Sequence, residues 1–155
     1  MTPAQRRYRR TEMAVAAIIS AVLSAVFVAL IFGGRAAVPV AGWDGLIVDA
    51  LPQTLMIALM SSLVPTLLTR RRMARGAIAP ILATGRWSTS IAVRVGSIAL
   101  GATLLAGVLH LALLPLTPPL WPLATVFVAK AAYGALLGAL VAGRAVSTAL
   151  HNPTP

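Results

Sequence analysis

Five side chains capable of polar or acid–base chemistry lie within or beside stretches that are otherwise apolar. They are Lys130, His110, Asp49, Gln53 and Tyr133. An ionisable group at the centre of a membrane span costs about 2.5–3.5 kcal/mol on insertion scales, so Lys130 indicates a functional site. Asp49 and Gln53 are four residues apart and share one face of a helix. We hypothesise that the five residues line an outward-facing polar pocket, with Asp49 as the counter-ion of Lys130.

The alternative is that Lys130 has a purely structural role. It lies about nine residues into the last apolar stretch, or ~13 Å at 1.5 Å per residue. Its side chain leans toward the start of that helix, so the ammonium can snorkel to the membrane surface. Under this interpretation Lys130 is solitary or makes one hydrogen bond to a neighbouring helix.

The sequence contains few of the residue types and motifs that enzymes and metal-binding proteins use. It contains no cysteine and two histidines, which excludes disulfides, thiolate nucleophiles and clusters of cysteine or histidine metal ligands. No carboxylate pair, nucleophile motif or glycine-rich phosphate loop is present. We therefore expect a protein without enzymatic activity, cofactor or metal.

The composition indicates which solvent surrounds these residues. Of 155 residues, 59% are apolar and 10% charged, whereas a soluble domain has about 25% charged residues. Four apolar stretches have roughly the 20 residues needed to cross a bilayer: residues 13–32, 50–69, 95–114 and 121–143. The predicted fold is an all-α, integral membrane four-helix bundle made of two transmembrane hairpins. It forms a single domain over residues 13–144, with cytoplasmic tails at 1–12 and 145–155.

The arginines predict the orientation of the spans, because basic residues are retained on the cytoplasmic side. They cluster before the first span, between the second and third, and after the fourth, while Arg35 alone lies between the first and second. Both termini are therefore predicted to be cytoplasmic, in a bacterial inner membrane. A cleaved signal peptide is the alternative for the first span, although its 20 apolar residues exceed the typical 7–15.

Small residues at four-residue spacing predict where the helices pack, because they let backbones approach closely in lipid. The predicted packing positions are Ala17, Ala21, Ala25, Ala29, Gly134 and Gly138. Pro65 lies inside the second span, where it cannot donate to the carbonyl of Ser61, and it predicts a kink.

The basic segment after the second span predicts contact with the membrane surface. Arg70, Arg71, Arg72 and Arg75 either bind anionic lipid headgroups on the cytoplasmic side or serve only to fix the topology. Binding to nucleic acid is not expected, because no folded domain or aromatic platform carries these charges.

Two functions remain open at the level of sequence. The first is a non-enzymatic accessory or structural subunit that associates with another membrane protein or with itself. The second is a small oligomeric transporter or channel that uses Lys130 and His110. Because the inner half of the spans offers little polarity beyond Ser61, Ser62 and Thr66, the sequence favours the accessory subunit.

Overall fold

The computed structural model describes residues 1–81 and 90–151, and these form four long helices. Helix α1 spans Pro3–Phe32, α2 Leu46–Ala74, α3 Ile91–Leu113 and α4 Leu123–His151. Strand β1 (Ala37–Pro39) lies between α1 and α2, and a 3-10 turn (Leu114–Leu116) and strand β2 (Leu120–Pro122) lie between α3 and α4. All four helices are long and apolar enough to cross a membrane.

Helices α1 and α4 are longer than the predicted spans and take in most of the predicted tails. Thr2 caps α1 in a reciprocal capping box with Gln5, and Pro3 occupies the first helical position, so α1 begins ten residues before residue 13. At the other terminus α4 continues to His151, with Leu150 fully buried. Residues 3–12 and 145–151 of the predicted tails therefore belong to α1 and α4.

The helices do not pair as the two hairpins predicted from chain order. Helix α1 packs mainly along α4, whereas α2 packs against both α3 and α4. Contacts of α1 with α2, and of α3 with α4, are few. The bundle thus brings the first and last helices together, and their terminal ends lie at the same end of the molecule, where Tyr8 contacts Val146 and Leu150.

Glycines on α4 explain the close contact with α1. A Cβ on Gly134 would lie 2.1 Å from Ser24 Oγ and 2.8 Å from the Ser20 carbonyl oxygen. A Cβ on Gly138 would lie 2.3 Å from Ser20 Oγ and 2.9 Å from the Ala16 carbonyl oxygen. The two backbones approach closely because glycine has no side chain at these positions.

The face of α1 that meets α4 differs by one residue from the predicted alanine face. The buried positions are Glu12, Ala16, Ser20, Ser24, Val28 and Phe32. Ala17, Ala21 and Ala25 are half-buried beside this face, and Ala29 is exposed. Serine is small enough for close packing and also bonds to neighbouring helices, so the polar stripe is buried and the alanine stripe lies at its edge.

The end of the bundle that carries the two strands is closed by a hydrophobic cluster, and we call it the strand end. Strands β1 and β2 pair antiparallel, with Val38 opposite Trp121, and they are the two short strands of an otherwise helical fold. Beneath them pack Val28, Phe32, Val38, Val40, Leu46 and Val126. The pairing satisfies backbone groups that two separate loops would leave without partners.

The opposite end carries the start of α1 and the arginines at the end of α2, and we call it the arginine end. Ile78 and Ile81 pack against Tyr8, Val146 and Leu150, and Ile81 N donates to the Leu150 carbonyl oxygen at 2.8 Å. Arg86, one of the arginines between the second and third predicted spans, lies outside the described residues. Helix α2 continues without a break through Pro65, and the kink there remains a prediction.

Candidate functional site

Lys130 forms an ion pair with Asp49 of α2. The Lys130 side chain is 8% exposed, and its Nζ also donates to Gln53 Oε1 at 2.7 Å. Asp49 and Gln53 can both reach this ammonium because they lie one turn apart on the same face of α2. Two of the three N–H groups of Lys130 therefore have partners among residues 1–81 and 90–151, where no acceptor is seen for the third.

Gln53 connects this ion pair to a third helix. Its side chain is 2% exposed, and its Nε2 donates to Ser24 Oγ of α1 at 2.8 Å. Lys130, Gln53 and Ser24 thus link α4, α2 and α1 by successive hydrogen bonds. These partners hold the Lys130 side chain in position. Lys130 therefore differs from a solitary lysine that snorkels to the membrane surface.

Tyr133 and His110 form a second polar group one turn further along α4. The Tyr133 hydroxyl is hydrogen-bonded to Thr54 Oγ1, and Thr54 in turn donates to the Ala50 carbonyl oxygen at 2.6 Å. The His110 ring meets the Tyr133 ring edge-on, with centroids 5.0 Å apart. His110 Nδ1 lies 2.7 Å from the Ala106 carbonyl oxygen; because a carbonyl only accepts, Nδ1 carries a proton and Nε2 remains for another partner.

These residues surround a cavity of about 190 Å³ between α3 and α4. Lys130, His110, Tyr133 and Trp121 line it together with the apolar side chains of Leu46, Leu114, Val126 and Ala129. It shares His110, Leu114 and Tyr133 with an apolar groove of about 550 Å³ that runs between the same two helices. Because α3 and α4 make few contacts with each other, the groove separates them along much of their length.

The structure therefore brings the five predicted site residues into two adjacent groups. Lys130, Asp49 and Gln53 form one, and Tyr133 and His110 form the other. Two further members were not anticipated, Ser24 and Thr54. The four-residue spacing of Ser20 and Ser24 was the available signal for one of them, but without a structure it did not distinguish the polar stripe from the alanine stripe beside it.

Buried polar side chains continue from this site toward the arginine end. Ser20 Oγ and Ser61 Oγ are 3.4 Å apart, and a cavity of about 120 Å³ lies beside them between α1 and α2. Further along, the Tyr8 hydroxyl donates to Thr69 Oγ1 at 3.1 Å. The half of the bundle toward the arginine end is thus more polar than the sequence indicated, because the serines and threonines of α1 and α2 face the bundle interior together.

An ionic cluster closes this polar stripe at the arginine end. An Arg72 nitrogen lies 3.9 Å from Glu12 Oε1, and the Arg72 guanidinium covers the Tyr8 ring at 4.7 Å from its centroid. Arg71 and Arg75 are exposed, and Arg70 is half-buried. Of the four arginines expected at the membrane surface, Arg72 thus also holds α1 to α2.

The strand end carries an ion pair of a different kind. Arg35 and Asp44, both exposed, are joined at 2.7 Å. The hydrogen bond from Arg35 holds the pKa of the Asp44 carboxyl below its ordinary value of 3.8. Solvent screens this pair, so it serves here as a reference for the buried pair of Lys130 and Asp49.

The polar groups of the site suit a ligand that both accepts and donates hydrogen bonds, as a carboxylic acid does. Within residues 1–81 and 90–151, no three histidine or acidic side chains gather where they would hold a metal ion. Lys130 offers an N–H, His110 offers Nε2, and the Tyr133 oxygen can accept. Comparisons of the chain with protein-family models, curated proteins and solved structures gave no match.

Proposed function

We propose that this chain is a small, non-enzymatic membrane transporter that binds an amphiphilic acid at Lys130, His110 and Tyr133. The observation that carries the proposal is the buried Lys130–Asp49 pair beside a cavity that joins an apolar groove. Buried charges inside a bundle are costly and mark solute pathways in many membrane proteins.

The shape of the cavity and groove supports an amphiphile over a compact solute. The groove is almost wholly apolar and extends from Ile98 to Leu114 along α3, which is ~24 Å at 1.5 Å per residue. Its volume of about 550 Å³ is within the range of ligand sites, roughly 300–1,000 Å³. A hydrocarbon tail in the groove would place an acidic headgroup at the polar cavity.

The route of entry follows from which helices are in contact. The strand end is closed by the cluster of Phe32, Val38 and Val126, whereas the space between α3 and α4 is bounded on one side by exposed residues such as Leu105 and Leu109. An amphiphile already dissolved in the bilayer would enter sideways through this space and would not need to cross the strand end.

The buried polar stripe supports movement in addition to binding. Pore-forming and transport proteins need polar groups through the thickness of the bundle, and Ser20, Ser61 and Thr69 supply them between Lys130 and the arginine end. Protonation of the bound acid would neutralise it for passage along the stripe. The proposed setting is a bacterial inner membrane with both termini cytoplasmic, and the exposed arginines contact anionic headgroups there.

Binding of a fluorescent fatty acid tests the proposal. The protein is reconstituted into phosphatidylcholine nanodiscs and titrated with dansyl-labelled undecanoic acid. We expect saturable binding that Leu105→Trp weakens at least tenfold by filling the groove. Val22→Trp is the matched control, because Val22 on α1 and Leu105 on α3 are exposed to a similar extent, 58% and 63%, and Val22 does not line the groove.

The headgroup half of the site is tested with the uncharged analogue. We expect the labelled methyl ester to bind at least tenfold more weakly than the acid, and the double variant Asp49→Asn, Lys130→Met to lose that preference. Liposomes containing the protein should then release the acid faster than empty ones. Equal affinity for acid and ester, or no effect of Leu105→Trp, would refute the proposed site.

An accessory subunit is the second candidate, and the apolar surface of α3 favours it. Leu100, Leu104 and Leu111 are each about 60% exposed, and α3 contacts few residues other than those of α2. A partner helix, or a second copy of this chain, would cover that face. Gly134 and Gly138 do not contribute, because α1 already covers them. Disulfide cross-linking of Leu104→Cys between chains, without fatty-acid binding, would support this function instead.

A further inference from the structure

Arg94 is a buried cation whose guanidinium lacks a partner among residues 1–81 and 90–151. Its side chain is 3% exposed, and its Nε, Nη1 and Nη2 atoms are all buried without a hydrogen bond. It lies in the first turn of α3, where Arg94 N donates to the Ser90 carbonyl oxygen, and so at the arginine end. Leaving one buried charge unpaired costs several kcal/mol.

No acidic side chain of the chain is left to neutralise Arg94. The sequence contains three acidic residues. Glu12 is paired with Arg72, Asp44 with Arg35, and Asp49 with Lys130. The described structure uses each of these carboxylates elsewhere, so Arg94 has no carboxylate counter-ion among residues 1–81 and 90–151.

A second arginine increases the need for an anion. Arg70 of α2 is close enough to Arg94 for the two positive charges to repel each other. Two guanidinium groups on adjacent helices, at the end of the bundle that faces the headgroups, match the chemistry of a phosphate group. The planar fork of arginine binds phosphate oxygens in pairs, which lysine cannot do.

We propose that Arg94, with Arg70, binds a phosphate group between α2 and α3 at the arginine end. Two sources carry that group, the headgroup of an anionic phospholipid and free phosphate. Such a site differs from the exposed Arg71 and Arg75, because exposed arginines are attracted to anionic headgroups without forming a site of fixed geometry. It is also separate from the cavity at Lys130, so either proposal can fail without the other.

The test measures thermal unfolding of the full chain in detergent with added phosphatidylglycerol, phosphatidylcholine or inorganic phosphate. We expect saturating phosphatidylglycerol to raise the unfolding midpoint by at least about 4 °C, because a ligand stabilises the state that binds it. Phosphatidylcholine should have little effect. An equal rise with inorganic phosphate would assign the site to free phosphate and would equally support it.

Two variants separate this site from general attraction to the basic surface. Arg94→Met should lose the phosphatidylglycerol response and should be at least as stable as the parent in phosphatidylcholine, because an uncompensated buried charge is removed. Arg75→Met, an equal change of charge at an exposed position of the same end, should keep the response.

A conservative variant covers the case in which Arg94→Met does not fold. Arg94→Lys keeps the charge but lacks the planar fork, so it should need at least about threefold more phosphatidylglycerol for half of the stabilisation. A full response in Arg94→Met or Arg94→Lys, or no response of the parent to either phosphatidylglycerol or phosphate, would overturn the proposal.

Discussion

Lys130 of α4 and Asp49 of α2 form a buried ion pair although 81 positions separate them in the chain. Gln53 binds the same ammonium and passes the connection to Ser24 of α1. One lysine therefore holds three of the four helices in register. The proposed function depends on this arrangement, because it fixes a charged group at the wall of the cavity.

The buried pair makes a prediction about coupling. Lys130→Met or Asp49→Asn alone should lower the stability by about 3–5 kcal/mol, since each leaves the other group buried without its partner. The double variant should recover much of that loss. The measurement is a double-mutant cycle by reversible unfolding in mixed micelles. Asp44→Asn, which removes the carboxylate of the exposed pair with Arg35, should change stability by less than about 1 kcal/mol. Additive losses in the double variant would contradict the pairing.

The contact between α1 and α4 makes a prediction about size. Gly134→Ala should destabilise the bundle by about 1–3 kcal/mol, because the new Cβ would meet the α1 backbone at Ser20 as well as Ser24 Oγ. Gly101→Ala on α3 is the control, since a Cβ there meets nothing within 4 Å. Thermal unfolding in one detergent compares the two. A Gly134→Ala protein as stable as Gly101→Ala would show that α1 and α4 are further apart.

The absence of native cysteine makes the orientation directly measurable. Trp43→Cys, at a position 94% exposed near the strand end, should react with a membrane-impermeant maleimide added to intact spheroplasts. Arg75→Cys, at the arginine end, should react only after the membrane is permeabilised. The reverse pattern of labelling would invert the proposed orientation while leaving the fold unchanged.

The exposed pair makes a prediction about pH. Because Arg35 lowers the pKa of Asp44 below its ordinary value of 3.8, the pair contributes its stability above that value and loses it as the pH falls through the lowered pKa. A titration of the Asp44 carboxyl carbon by NMR should show this, and Arg35→Gln should return the pKa toward 3.8. If the pKa of Asp44 were unchanged in Arg35→Gln, Arg35 would not be the cause of the lowered value.

Several features of the site were predictable because depth and spacing along a span are local properties. Asp49 and Gln53 share a face at the start of α2, and His110 of α3 and Lys130 of α4 line the same cavity. The sequence analysis did not identify Ser24, because serine and alanine are both small. Size and spacing alone therefore do not show whether Ser24 or its neighbours Ala21 and Ala25 face another helix. Burial and the hydrogen bonds of Ser24 to Gln53 and of Ser20 to Ser61 distinguish the serine stripe from the alanine stripe.

By itself, the sequence determined that four stretches are long and apolar enough to cross a membrane, because hydropathy and length are summed along the chain. It also placed most arginines beside particular ends of those stretches. Only the tertiary structure decided that α1 packs along α4, that the strands close one end, and that Arg94 is buried with no counter-ion among the residues described. The reason is physical: lipid tails are as apolar as leucine, so hydrophobicity drives insertion but does not choose helix partners. That choice depends on close approach and hydrogen bonds between residues far apart in the chain.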